Sequence, residues 1–393
     1  MLLCFYYGAI NGTQESLDIP VKRSIIPRIF NVIGFDIFAN FYEKDVSIKP
    51  DNYSLLSEEY KIKSVKGANL RGKDLRYANA YGAFLVKADM RYANLEKANL
   101  YTANLQNSYL QHANLNGAYL ISANLKNAKL DTTNLTESHI IYADLDSASF
   151  RGANTIHTAF MNSDLRHTDF RATNCSTAMF DDANLQHADF SSSNLKMANL
   201  STANLDSSQL SNVNLYMANL TGAKLRWAVV RNATLDSTIM VNVNIYMADL
   251  WNAKLRFARL DRAIADSAIL REANLFGASL EGAALAGANL TSAIFDSANF
   301  SSAYLKNADM FNSRFNGVNF GKANLQGANL EDADFQEAKF AGANFKGAKF
   351  LRAKFKGADL SGAKNLTQGQ LDEACGDSTT ILPPGLTIKP CPE

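Results

Sequence analysis

From Leu70 to Leu360 a large apolar residue recurs at every fifth position for 59 consecutive units, with no insertion or deletion. Leu, Phe, Ile, Met or Val fills 55 of these centres, and the exceptions are Ala80, Thr155, Cys175 and Ala265. Two residues before each centre the side chain is small, as in Ala68, Ala78 and Ala83, and Lys73 is the one charged exception. A five-residue period fits neither the 3.6-residue turn of a helix nor the alternation of a straight strand, so the backbone must turn once per unit. The pattern predicts a coil in which each unit points one small and one large apolar residue inward and three polar residues outward.

Correlations at longer range set the size of the coil. Phe295, Phe315, Phe335 and Phe355 recur at 20 residues, as do Phe300, Phe320 and Phe340, and the outward pairs His167/His187 and Met197/Met217. Four units per coil give a square cross-section. At the usual inter-strand spacing of about 4.8 Å, roughly 15 coils make a rod about 70 Å long.

The units ANLRG, ADMRY, ANLEK, ANLYT and ANLQN resemble the pentapeptide-repeat family over residues 68–362. The resemblance implies an all-β fold, a right-handed quadrilateral parallel β-helix of about 15 coils with non-repeat caps at both ends. It implies little about function, because Ala, Asn and Leu build the coil in every member; the family includes inhibitors of DNA gyrase that imitate duplex DNA, and bacterial effectors. Residues 1–65, with SIIPRIFNVIGFDIFANFYEKDVSIKP, resemble the segment that precedes the repeats in larger bacterial members, some with membrane helices upstream. That likeness implies the C-terminal part of a longer protein. The expected organisation is an N-terminal cap over 1–65, a β-helix over 66–363, and a C-terminal cap over 364–393.

A repeat stack exposes apolar side chains and strand edges at its ends, so the flanks are expected to cover them. Lys73 and Ala80 depart from the pattern in the first coil, which predicts that the N-terminal segment packs there. The stretch NLTQGQLDEACG predicts a short helix with Thr367 as N-cap, Leu371 on the apolar side and Gly376 as stop. Pro383 and Pro384 prevent the tail from being helical. Cys375 and Cys391 read equally as a disulfide or as two free thiols. The start, MLLCFYYGAI, lacks a basic n-region and a small-residue cleavage site, so it reads as a buried strand or the remnant of a longer chain rather than a signal peptide.

Apolar residues make up 47% of the chain, yet no run of 18 could span a bilayer. In the core, Thr155 and Cys175 leave less volume than Leu, and Phe150, Phe160, Phe170 and Phe180 on the flanking sides replace it. Cys175 is accordingly expected to be inert packing. There is no glycine-rich phosphate loop, nucleophile elbow or zinc-finger spacing, so no enzyme and no cofactor is expected.

Function must lie in the outward columns of residues 20 apart, and four features stand out. Arg71, Arg91, Arg151, Arg171, Arg231 and Arg271 form a basic stripe that either follows an acidic partner or pairs with Asp89, Asp169, Asp189 and Asp249, with Trp251 spaced for cation–π contacts. Tyr81, Tyr101, Ile121, Ile141 and Met161, with Tyr119, Tyr142 and Met179 beside them, form an apolar strip that marks a contact for a partner, a second copy or the N-terminal segment. His167/His187 and Asp169/Asp189 form ladders on adjoining faces, from which no metal site is expected. Lys339, Lys346, Lys349, Arg352, Lys354 and Lys356 form a collar that either keeps the end soluble or contacts anionic lipid.

Residues 66–364 hold 31 basic against 26 acidic residues, whereas a duplex mimic must show dense negative charge. The chain is therefore read as a structural or protein-interaction scaffold. A DNA-mimicking topoisomerase partner, a secreted effector and a membrane-associated scaffold are the alternatives, with nucleic acid and small-molecule substrates disfavoured. Partner identity is not legible; a bacterial cytoplasmic setting is favoured, or a membrane-associated one if the chain is a shortened form.

Overall fold

The computed structural model describes residues 41, 42, 44–49, 54 and 58–392. Every repeat unit is a short side followed by a corner, and its hydrogen bonds explain its consensus. The N–H of the centre Leu70 donates to the Asp89 C=O of the next coil (2.8 Å), and Asp89 N–H donates back to the Ala68 C=O (2.8 Å). Lys73 N–H closes the corner onto the Leu70 C=O (3.2 Å), while Gly72 N–H reaches the Arg91 C=O (2.9 Å). Four of the five N–H groups thus have backbone acceptors. In units such as these the fifth, just after the centre, is met by the Asn or Asp side chain just before it: Arg71 N–H donates to Asn69 Oδ1 (3.3 Å) and Glu96 N–H to Asn94 Oδ1 (3.2 Å). Asn and Asp are common there because a short carbonyl-bearing side chain can cap the N–H two residues on.

Consecutive coils bridge in parallel 20 residues apart, from Asn69 with Asp89 through Asn344 with Lys364. A five-residue side spends two residues on its corner, so each side contributes one bridging residue instead of an extended strand. The fold is a parallel β-helix with four sides, named here A (centres 70, 90 and onward), B (75, 95), C (80, 100) and D (85, 105). The corner has a property that the residue pattern does not announce. Every fifth residue from Gly72 to Gly357 has φ between 53° and 74°, and only 13 of these are glycine. A turn with its second corner residue at positive φ requires this conformation, and the ladder on both sides holds Tyr, Lys, Asn and Ser in it.

Inside, the centres from Ala80 to Leu360 are buried. Phe150, Phe170 and Phe190 stack at 4.7 and 4.6 Å, Phe160 and Phe180 at 4.9 Å, and the two ladders meet edge to face at 5.8 Å. Cys175 lies among them, and burial pushes its thiol up to about 12, consistent with inert packing.

At the N-terminal end, residues 1–40 of the expected cap lie outside the described residues. Those that follow pair with sides C and D: Phe41 N–H donates to the Asn79 C=O (2.6 Å), and Asp45 bridges Phe84 in parallel. Helix α1 (Glu58–Ser64) leads to Lys66, which bridges Ile48 antiparallel, and Val65, Phe84 and Val86 form a small buried cluster. Ala80 is buried, but Lys73 is exposed rather than inward, since no described residue bridges Asp74 from below.

At the C-terminal end, helix α2 (Gln368–Glu373) takes the place of one side. Thr367 caps it, with Gln370 completing a capping box, and Gln370 Nε2 also donates to the C=O groups of Phe345 and Ala348 (both 2.9 Å). Leu371 plugs the core. The helix ends at Ala374, short of Gly376; Cys375 has already rejoined the ladder beside Lys354, and Gly376 bridges Pro390. Gly376 is therefore part of an added edge, not a helix stop. Ile381 continues the ladder beside Asp359. Cys375 and Cys391 are joined in a disulfide, with Cα atoms 4.7 Å apart, which pins the tail across this edge.

Candidate interaction surfaces

On side A the arginine stripe is largely neutralised. Arg91 pairs with Asp89 (2.6 Å), Arg171 with Asp169 (2.8 Å) and Asp189 (3.6 Å), Arg231 with Asp249 (2.6 Å) and Arg271 with Glu272 (3.1 Å), while Arg151 also binds Asp169. Arg71 lies over the Tyr92 ring at 5.4 Å. The expected Trp251 stack is not formed among the described residues: carboxylates hold Arg231 and Arg271, and cation–π contacts occur instead at pairs such as Arg226–Trp227 (5.1 Å). An open cleft of about 420 Å³ on this side is lined by Lys129, Asp131, Ser149, Arg151 and Asp169, but Asp131 and Asp169 are already bound to Ser149 and Arg151.

Five arginine or neighbouring corners reveal a second capping device. Where Asn or Asp is missing before the centre, an Asp one coil earlier meets the free N–H: Asp131 caps Arg151, Asp206 Arg226, Asp236 Arg256, Asp266 Ala286 and Asp296 Asn316. Asp206 and Asp236 are buried and also hold the guanidinium above them. The signal in the sequence is an Asp 20 residues before a unit that lacks Asn.

The two histidines at the corner between sides D and A stack at 5.2 Å, and His167 Nδ1 lies 3.0 Å from Asp146. No group of potential metal ligands is found among the described residues. Burial pushes the Asp146 carboxyl up, but hydrogen bonds from Lys126 (2.8 Å) and His167 outweigh it and lower its pKa to about 2. A folded value below the unfolded one gives stability that is present above about pH 4 and lost as pH falls through about 2. Asp146→Asn is therefore expected to flatten the acid limb of a melting-temperature profile between those values; an unchanged limb would rule this contribution out. In the C-terminal collar, Arg352 is bound to Glu331 (2.9 Å) and Asp332, whereas Lys339, Lys346, Lys349, Lys354 and Lys356 make no ion pair among the described residues.

Side C and its corner toward D carry the apolar strip. Tyr81 stacks on Tyr101 at 5.3 Å, and Tyr42 extends the stack at 5.2 Å. Ile121, Ile141 and Met161 continue the column half-buried; Tyr119, Tyr142 and Met179 stand exposed beside it, with Tyr119 stacked on His139 at 5.0 Å. The structure brings all eight together, whereas the part of the N-terminal segment expected to cover them, residues 1–40, lies outside the described residues. A further property is invisible to hydropathy. Before the centres at 120, 140 and 160 stand Tyr119, His139 and Ala159, and one coil below stand Tyr101, Ile121 and Ile141, so neither capping device operates. The N–H groups of Ile121, Ile141 and Met161 consequently have no acceptor among the described residues. The strip is thus a row of apolar side chains beside backbone donors without a protein acceptor among the described residues, a state shared by corners such as those of Gln111, Arg231 and Val241.

No helix of the described residues is long and apolar enough to cross a membrane. Comparison with known proteins agrees with the coil. A family model described as a pentapeptide repeat region matches residues 133–210 and 283–364, and one described as pentapeptide repeats (8 copies) matches 68–107, 98–136, 198–236, 218–256 and 244–282. Among solved structures, HetL, a pentapeptide repeat protein involved in heterocyst differentiation regulation from the cyanobacterium Nostoc sp. strain PCC 7120, is 29% identical over 51% of this chain and 90% of its own, with a TM-score of 0.50. A pentapeptide repeat protein of the Arabidopsis thaliana thylakoid lumen is 30% identical over 24% of this chain and 63% of its own, with a TM-score of 0.15. The plasmid-mediated fluoroquinolone resistance protein QnrB1 is 16% identical over 56% of this chain and 94% of its own, with a TM-score of 0.18. No curated protein matches the chain.

Proposed function

The chain belongs to the pentapeptide-repeat family, and we propose that it is a non-enzymatic scaffold, a rigid right-handed rod of about 15 coils that holds partner proteins through its outward columns. The working column is the apolar strip formed by Tyr81, Tyr101, Tyr119, Ile121, Ile141, Tyr142, Met161 and Met179. One observation carries this reading: apolar side chains stand beside the N–H groups of Ile121, Ile141 and Met161, which lack acceptors, and a docked protein would satisfy both. The arginine stripe supports the coil instead, since carboxylates occupy five of its six members. Near-balance of charge over residues 66–364 speaks against a DNA mimic.

Capture of binding proteins from bacterial extract by the full chain tests the assignment. Tyr101→Asp with Ile141→Asp is expected to abolish capture, and Arg151→Glu with Arg171→Glu to leave it intact when melting is unchanged. Capture that survives the first pair would sink the strip as the working surface.

A further inference from the structure

Side C stays apolar well beyond the strip. Met197, Tyr216, Met217, Ile239, Phe257 and Phe276 are all exposed on it or on its corner toward side B. We infer that the occupant of this side is a second copy of the chain packed antiparallel along it, an inference that rests on reading the strip as a contact surface. Two features of side C, besides its length, select a second coil.

The first is spacing. The N–H groups of Ile121, Ile141 and Met161, which have no protein acceptor among the described residues, fall in one column and repeat once per coil, about 4.8 Å apart. A helix lying on them would offer groups at its 5.4 Å pitch, and a strand at two residues per repeat, about 6.6 Å, so neither stays in step over several coils. Another coil does. From residue 72 to 357 the C=O of the second corner residue accepts no backbone hydrogen bond among the described residues, and these groups repeat at the same spacing as the donors. Apolar columns of two rods likewise share one period and interdigitate without drift.

The second is charge. From Glu137 to Asp182, side C and its corners carry Glu137, Asp181 and Asp182 and no Lys or Arg. From Lys196 to Arg262 they carry Lys196, Arg256, Arg259 and Arg262 against Asp236 and Asp261. Arg256 pairs with Asp236 (2.5 Å) and Arg259 with Asp261 (3.4 Å), which leaves Lys196 and Arg262 as the excess basic charge. Two copies in parallel would set acids against acids. An antiparallel two-fold pair sets the acidic half of each copy against the basic half of the other, which is self-complementary and closes without forming fibres.

Light scattering of the full chain between about 1 and about 100 µM tests this, with a mass rising to twice that of one chain. Tyr142→Asp and Phe257→Asp, both at exposed positions, are each expected to weaken the dimer by about tenfold or more with melting unchanged. The triple variants Glu137→Lys/Asp181→Lys/Asp182→Lys and Lys196→Glu/Arg259→Glu/Arg262→Glu are each expected to be monomeric alone and to form a heterodimer when mixed. A Ser122→Cys variant whose two copies cross-link to each other at that position would overturn the antiparallel arrangement, and a wild-type chain that stays monomeric would overturn the dimer altogether. If that monomer loses captured proteins on Tyr101→Asp with Ile141→Asp, the scaffold reading stands without the dimer; if neither mass nor capture responds, both fall.

Discussion

Phe170→Ala is expected to cost about 3–5 kcal/mol, the upper range for a large-to-small change, and to be the most damaging single substitution in the coil interior. Its ring stacks on Phe150 at 4.7 Å and on Phe190 at 4.6 Å and meets the edges of Phe160 and Phe180 at 5.8 Å. The core is a single column of side chains enclosed by a backbone whose ladder bonds fix its diameter, as between Phe170 N–H and the Asp189 C=O (2.7 Å). A cavity there cannot close by moving helices together, so the lost contacts are not regained. Neighbouring Cys175 on side B already leaves volume that the phenylalanines fill. Cys175→Leu alone should overpack the site at about 1–3 kcal/mol, yet in the Phe170→Ala background it should recover part of the loss. Denaturant midpoints of the four proteins in this cycle decide the matter. Strictly additive effects would show that the two positions do not share volume, and the account of the core would be wrong.

The five-residue phase made the inward residues, the 20-residue coil and the phenylalanine ladders legible, because each depends only on which way a side chain points. Corner conformation was not legible. Tyr77, Lys97 and Thr102 have no preference for positive φ, and they adopt it because the hydrogen bonds of the coils on either side leave no other corner. The pairing of the arginine stripe with Asp89, Asp169, Asp189 and Asp249 was legible as one of two readings, whereas the second capping device was not, since Asp206, Asp236 and Asp296 sit a full coil below the groups they serve. The strip was visible as hydropathy within one column. Its extension across side C spans several neighbouring columns, and its uncapped donors depend jointly on the residue before each centre and the residue one coil below, which no single column displays.

Loss of the disulfide is expected to open the C-terminal cap. Cys375 and Cys391 are 16 residues apart, and closing a loop of that length in the unfolded chain is worth about 3 kcal/mol. Residues 377–381 stay on the ladder through bonds such as Leu360 N–H to the Ile381 C=O (2.8 Å) and Ile381 N–H to the Ala358 C=O (2.9 Å), but the folded side of the balance is slender beyond them. Residues 382–392 are held by the Cys391 N–H donating to the Gly376 C=O (2.9 Å), the Gly376 N–H donating to the Lys389 C=O (2.9 Å), Lys389 Nζ donating to the Asp372 C=O (2.8 Å), and the Gln368 side chain, which donates to the Thr387 C=O (2.9 Å) and accepts from the Thr387 N–H (3.0 Å). A handful of partly exposed bonds, each contributing about 1 kcal/mol, does not exceed that entropy by much. Cys391→Ser, or a reductant acting on the wild type, should therefore release residues 382–392 to protease and expose the edge at Gly376 while the coils from 68 to 340 keep their melting temperature. Stacking contacts in a solenoid reach only the nearest coils, so the damage stays local unless Leu371 leaves the core. Leu371→Asp removes that plug outright and should lower the stability of the last coils as well. A reduced tail that resists protease as well as the oxidised one would mean that α2 and Ile381 hold the cap without the covalent link.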